Sequence, residues 1–301
     1  AWAQKVGWEA NKSATGNKGF QYNLANKLIF SKLKPAIGMG NARVCVSGAA
    51  PIAREVLEFF AGLDIVVLEV YGQSEDTGPT SFNTPDRYRF GSVGPALPGV
   101  EVKIAEDDEI LVKGPNVFMG YYKDEEATSS TLVDGWLHSG DLGAFDDEGF
   151  LNITGRKKDI IITAGGKNIT PKNLEAAMKN HELINEAVVI GDRRKYLSAL
   201  ITIDPEAGPA WAAANGEDAN ALHESEKLRA SIQAHIDEMN SHFARVEQIK
   251  KFKILTRNFT VEDGELTPTL KVKRAKVNDH FADDIESLYD EGGAAQSQPR
   301  A

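Results

Sequence analysis

Gly155-Arg156-Lys157-Lys158-Asp159-Ile160-Ile161-Ile162-Thr163-Ala164-Gly165-Gly166-Lys167-Asn168-Ile169 sets four consecutive charges before a short apolar run and closes it with a glycine pair. A buried strand accounts for the isoleucines, but such a strand has no use for four charges directly before it. The glycines permit positive φ and close backbone approach by a ligand or a second domain. Together these features read as a hinge leading into a ligand-facing loop. A surface strand followed by a hairpin turn explains the same residues equally well, so the sequence on either side has to decide.

The 301 residues predict two domains, each with enough chain for its own core. A composition of 42% hydrophobic and 26% charged residues argues against disorder and against a coiled coil. The net charge of −10 points away from nucleic acid. Cys45 is the single cysteine, which excludes an internal disulfide and fits a reducing, cytoplasmic compartment. Mid-strand and without a nearby histidine, it reads as a buried, inert thiol. No apolar run reaches the length of a membrane span. The chain opens on Ala1 within helix-forming sequence and shows no signal peptide, so a preceding segment is expected.

Before the hinge, residues 1–40 are helix-leaning and read as the edge of a larger domain. Ala42-Arg43-Val44-Cys45-Val46 predicts a strand ending in Ser47-Gly48-Ala49-Ala50-Pro51, and Pro51 is placed to open a helix. A second strand, 64–70, ends in Tyr71-Gly72-Gln73-Ser74-Glu75. This βαβ pattern predicts a mostly parallel sheet, with both small-residue turns at the carboxyl ends where such sheets hold ligands. From 91 to 154 short strands alternate with glycine, proline and aspartate turns, predicting an antiparallel unit shaped as a small distorted barrel. Gly140-Asp141-Leu142-Gly143 within it exposes an acid at a tight bend.

After the hinge, Pro171 opens a helix, strands are expected at 187–190, 198–203 and 252–255, and helices near 205–222 and 274–289. Leu228, Ile232, Ile236, Met239 and Phe243 lie on one face of a helix over 225–243. The tail 291–301 reads as disordered. The expected architecture is α/β and α+β: 1–157 closing a large domain, a small mobile domain over 158–290, and Lys158 between them.

The six histidines show no metal-ligand spacing with Cys45 or with carboxylates. Gly-x-Ser-x-Gly is absent, so no serine nucleophile elbow is present. Four polar features remain: Glu75 after a strand, Asp141 in its glycine turn, Arg156 at the hinge, and Lys271 in a turn-rich loop. Taken singly, each reads more simply as a solvated surface group. Together, a carboxylate for Mg²⁺, an acid and an arginine for a ribose, and a lysine for phosphate would make a nucleotide site.

Six motifs occur in order: Ser47-Gly48-Ala49-Ala50-Pro51, Tyr71-Gly72-Gln73-Ser74-Glu75, Gly135-Trp136-Leu137-His138-Ser139-Gly140-Asp141, Gly155-Arg156-Lys157-Lys158-Asp159, Gly166-Lys167-Asn168-Ile169-Thr170-Pro171 and Leu266-Thr267-Pro268-Thr269-Leu270-Lys271. In these the chain resembles, over residues 1–290, the C-terminal part of adenylate-forming (AMP-binding) enzymes, specifically the long-chain fatty acid–CoA ligases. The Leu-Thr-Pro-Thr-Leu-Lys form favours the long-chain subclass over ligases ending in Ser-Gly-Lys. The resemblance implies that a carboxylate attacks the α-phosphate of ATP, and that the CoA thiol then displaces AMP.

By similarity, the Ser47 to Pro51 loop, with Gly48, Ala49, Ala50 and Pro51, and Tyr71 flank adenine, Gly72, Gln73 and Ser74 belong to the same cofactor-binding set, and Glu75 helps to hold Mg²⁺. Asp141 takes the ribose hydroxyls, Arg156 contacts the ribose or a phosphate, and Lys271 bridges the substrate carboxylate and the α-phosphate. Lys158 is the hinge, and Gly165 and Gly166 line the pantetheine tunnel. The family's glycine-rich phosphate loop and the histidine-bearing segment after it belong upstream of residue 1, so the chain alone is expected not to complete adenylation. Transfer to an acyl carrier protein, or a non-catalytic nucleotide-binding module, are the alternatives. The basic cluster Lys271, Lys273, Arg274 and Lys276 could touch anionic lipid at a membrane or the CoA phosphates, against a reading of Lys273 and Lys276 as solvated helix charges.

Overall fold

The computed structural model describes residues 1–290, and the expected disordered tail lies outside the described residues. The chain divides into two compact units, Ala1–Lys158 and Asp159–Ala301.

The first unit begins with α1 (Trp2–Asn11), α2 (Phe20–Ala25), a π-helical turn Asn26–Phe30 and α3 (Ser31–Ala36). Next come β1 (Cys45–Gly48), α4 (Arg54–Gly62), β2 (Val67–Gln73) and β3 (Gly78–Phe82). Helices α1 and α4 meet at glycines, since a Cβ on Gly7 would lie 2.2 Å from the carbonyl oxygen of Gly62. Strands β1 and β2 are parallel, as a βαβ unit requires, while β3 runs antiparallel beside β2. The sheet is therefore mixed and three-stranded rather than mostly parallel. Pro51 does not open the helix: Ala53 is still extended at ψ 139°, and α4 starts at Arg54. Cys45 is half-buried in β1 rather than enclosed.

The unit continues with β4 (Glu101–Ile104), β5 (Glu109–Lys113), α5 (Glu125–Thr131), β6 (Leu132–Val133), β7 (Trp136–Phe145) and β8 (Leu151–Arg156). The expected barrel is instead an open antiparallel sheet in the order β4-β5-β7-β6, with β8 also on β7. Strand β6 pairs with the start of β7 and β8 with its second half, so the sheet is too narrow to close on itself. Ile110, Val112, Leu137 and Leu151 form its core, and Tyr71 of β2 packs into the same cluster. That contact brings the end of the first sheet to the middle of the second.

The second unit holds β9 (Ile161–Ile162), β10 (Asn168–Ile169), α6 (Pro171–Met178), β11 (Ile184–Ile190), β12 (Leu197–Ile203), α7 (Ala207–Asn215), α8 (Glu226–Asn240), β13 (Ile249–Ile254), α9 (Arg274–His280) and α10 (Ala282–Tyr289). Strand β12 is central, antiparallel to β11 and parallel to β13. Leu197, Ala199 and Ile201 face the core that includes Leu174 and Met178 of α6 and Leu228, Ile232 and Ile236 of α8. Leu200 faces the opposite core, with Val277 of α9 and Ile285 of α10. Burial on both faces explains why β12 reads as an unbroken apolar run. The helix expected over 274–289 breaks at Phe281, whose φ −111° and ψ 29° are not helical. Among the described residues no helix is long and apolar enough to cross a membrane.

Candidate active site

The parallel register sets Gly48 beside Val70, so Ala49, Ala50 and Pro51 leave the sheet next to Tyr71. Gly48 is needed for that approach: a Cβ there would lie 2.5 Å from Cγ1 of Val70 and 3.0 Å from its carbonyl oxygen. Ala49 turns the chain with φ 67°. At Gly72 the constraint is stricter, because a Cβ would come within 1.7 Å of the Gly78 carbonyl oxygen across the β2–β3 bulge.

Beside this edge three residues from separate motifs meet. Asp141 and Arg156 are cross-strand partners in β7 and β8, and Arg156 Nε donates to Asp141 Oδ1 at 2.7 Å. The Tyr71 hydroxyl donates to Asp141 Oδ2 at 3.0 Å. Burial first, then the Asp141 charge, push that hydroxyl well above its ordinary range, so it remains a donor. Asp141 is buried, whereas the Arg156 side chain is 53% exposed. Its guanidinium can therefore reach an anion or a sugar hydroxyl while Nε stays anchored.

Sequence reasoning missed the anchor beneath this cluster. Glu109, 4% exposed, accepts from Lys157 Nζ and the Gly140 N–H at 2.9 Å each, and lies 3.0 Å from His138 Nδ1. Burial alone would raise its pKa, but these partners outweigh burial and hold the carboxyl below its ordinary value. Glu109 thereby ties β5 to the Gly140 turn that presents Asp141 and to the residue after Arg156. Its only sequence signal was an acid starting a strand, which is commonplace.

Glu75 sits in a single 3₁₀ turn, Ser74–Asp76, directly after β2. The turn is held by Asp76, whose Oδ1 accepts from the Gln73 N–H at 2.7 Å and whose Oδ2 accepts from the Thr80 hydroxyl. Among the described residues no cluster of three or more His, Cys, Asp or Glu could cage a metal. One half-buried carboxylate instead suits Mg²⁺ that arrives on nucleotide phosphates, since that ion commonly takes one or two carboxylates and completes its shell with phosphate and water.

In the second unit, β9 and β10 form a two-residue hairpin. Ile161 is buried but Ile162 is 50% exposed, so the isoleucine run is not a buried strand. Gly166 takes φ +74° at the turn and its N–H donates to the Thr163 carbonyl at 2.8 Å. Gly165 and Gly166 are exposed there, and Lys158 is the last residue of the first unit.

Lys271 is exposed on a tight loop: the Thr267 N–H donates to the Lys271 carbonyl at 2.8 Å, and the Lys271 N–H to Thr267 Oγ1 at 3.0 Å. The base of the loop is Glu265, fully buried against Arg257 and His280 and a second residue not singled out from sequence.

A family model described as AMP-binding enzyme matches residues 14–122, and one described as AMP-binding enzyme C-terminal domain matches 158–293. The chain belongs to the AMP-binding enzyme family. It is 45% identical to a long-chain-fatty-acid–CoA ligase of Mycobacterium bovis, across 88% of this chain and 44% of that protein. A long-chain-fatty-acid–CoA ligase of Xenopus laevis is 38% identical, with 97% of this chain and 44% of that one covered. This AMP-binding enzyme chain thus spans less than half the length of these curated relatives.

In fold it matches the adenylation domain of a carboxylate reductase from Mycobacterium chelonae, at TM-score 0.67 and 24% identity, covering 95% of this chain and 44% of that one. It also matches an o-succinylbenzoate CoA synthetase from Bacillus subtilis in complex with AMP, at TM-score 0.60 and 27% identity, covering 77% and 45%.

Proposed function

We propose that this chain is the C-terminal part of an ATP- and Mg²⁺-dependent long-chain fatty acid–CoA ligase, working in the cytoplasm. The observation that carries the reading is the contact of Tyr71, Asp141 and Arg156, three residues drawn from three separate motifs onto one carboxylate. In this reading the turn 48–51 and Tyr71 flank adenine, while Asp141 and Arg156 orient the ribose. Bound Mg²⁺ would neutralise phosphate charge, with Glu75 among its ligands. Lys271 supplies positive charge to the substrate carboxylate and α-phosphate as the acyl-adenylate forms. Lys158 serves as the hinge between the adenylating and thioester-forming steps, and the Gly165-Gly166 turn faces pantetheine in the second. A preorganised charge of the Lys271 kind is worth about 10²–10³ in rate.

The shares of the relatives covered, 44% in each case, support a further part of the proposal: the 301-residue chain binds nucleotide but does not complete adenylation. The test is calorimetric titration of the chain with AMP, beside a coupled acyl-CoA assay. Binding weakened roughly tenfold or more in Asp141→Asn supports the site, because a hydrogen bond to a charged group is lost. Equal binding by both proteins refutes it, and acyl-CoA formation by the chain alone refutes its incompleteness.

A further inference from the structure

A single 3₁₀ turn has little stability of its own, yet Glu75 can serve a cation only if its carboxylate is held in place. The hold comes from one loop that follows β5. The Phe118 N–H donates to the Glu75 carbonyl at 2.8 Å. Asn116 Nδ2 donates to the Asp76 carbonyl at 3.2 Å, and the Thr77 hydroxyl donates to the Asn116 carbonyl at 2.9 Å. The Tyr121 hydroxyl donates to Glu75 Oε1 at 2.7 Å. Four bonds from residues about forty positions away thus clasp the turn and its acid.

Tyr121 is itself fixed. The Phe118 ring meets it edge-on at 4.9 Å, and its N–H donates to Thr128 Oγ1 of α5 at 2.9 Å. Gly120 lets the loop lie this close to α5, because a Cβ there would come within 2.5 Å of Thr128 Cγ2. The hydrogen bond to Glu75, with some burial, raises the Tyr121 pKa, so the hydroxyl stays a donor. The geometry leaves Glu75 with Oε1 engaged and Oε2 for a ligand. Gln73 Nε2 and Asn116 Oδ1, on the two sides of this clasp, are buried without hydrogen-bond partners.

We infer that Tyr121 is a positioning residue for Glu75, fixing the carboxylate so that Oε2 meets Mg²⁺ carried by the nucleotide. This rests on the nucleotide reading above. Partners that orient a metal-bound carboxylate are commonly worth 10–100-fold in metal affinity.

The experiment is calorimetric titration of the 301-residue chain with ATP, across a Mg²⁺ series and in EDTA, for wild type, Tyr121→Phe, Glu75→Gln and the double variant. The expected result is a roughly tenfold rise in the Mg²⁺ concentration needed by Tyr121→Phe. Binding in EDTA should stay unchanged, and Tyr121→Phe should have no further effect once Glu75 is Gln. Circular dichroism melting shows that each variant is folded. An unchanged Mg²⁺ requirement in Tyr121→Phe overturns the inference, as does an equal loss in EDTA or a shift that persists in the Glu75→Gln background. ATP binding by the wild type that is absent, or indifferent to Mg²⁺, overturns instead the nucleotide and metal reading beneath it.

Discussion

Glu265→Gln removes one charge at the base of the Lys271 loop with almost no change of shape. The Glu265 carboxylate is fully buried and accepts from Arg257 Nη1 at 2.8 Å and Nη2 at 2.5 Å, and from the Thr260 N–H at 3.1 Å. His280 Nδ1 lies 3.0 Å away. The Arg257 bonds above all, with His280 and the Thr260 N–H, overcome the burial penalty and bring the carboxyl from 4.5 to about 2. That gap corresponds to about 3 kcal/mol of stability. Solvent at Arg257, whose side chain is 42% exposed, trims it toward about 2 kcal/mol.

Because the folded value lies below the unfolded one, this contribution is complete above pH 4.5 and drains away as the pH falls toward 2. Urea unfolding of the second unit, followed by hydrogen-exchange mass spectrometry of peptides within 249–289, should show Glu265→Gln less stable by about 2–3 kcal/mol at pH 7. The two proteins should converge as the pH drops through 4 to 3. Since the Lys273 N–H donates to the Glu265 carbonyl at 2.7 Å, exchange in the 266–272 loop should rise as well. A difference that is independent of pH, or below about 0.5 kcal/mol at pH 7, would refute the assignment of this stability to the Glu265 charge.

Glu69 predicts the opposite pH trend: burial, only partly offset by the Gly91 N–H at 2.8 Å, lifts its carboxyl to about 7. A folded value above the unfolded one means stability falls as the pH rises from 4.5 through 7. Glu69→Gln should therefore match the wild type at pH 4 and exceed it at pH 8 in urea titrations, by about 3 kcal/mol from the gap itself and about 2 once solvent screening at this half-buried group is allowed for. Gly72→Ala should cost about 3 kcal/mol and displace the turn that carries Glu75, because the clash at 1.7 Å is with backbone that cannot rotate away. Gly48→Ala should be milder, since its nearest obstacle is the Val70 side chain; equal melting temperatures for the two variants would contradict this ordering.

What the sequence determined by itself is local or periodic. Alternation and apolar runs placed β12, spacing placed the stripe of α8, and glycine with proline marked the turns after β1 and β2. The order of the motifs carried the family, and with it Tyr71, Asp141, Arg156 and Lys271 as candidates. Tertiary structure decided which of them touch. Asp141 meets Arg156 only because the register of β7 and β8 pairs them, and meets Tyr71 only because the end of the first sheet packs into the core of the second.

The residues that sequence reasoning missed were invisible for the same reason. Glu109 holds partners 29–48 positions away, and Tyr121 reaches Glu75 across 46. An acid or a tyrosine with a distant partner looks like any surface residue, because no periodicity records a hydrogen bond made across a sheet. The open sheet in place of a barrel and the exposed Ile162 follow the same rule. Alternation says which face of a strand is apolar, but the pairing of its edges is settled only when the chain packs.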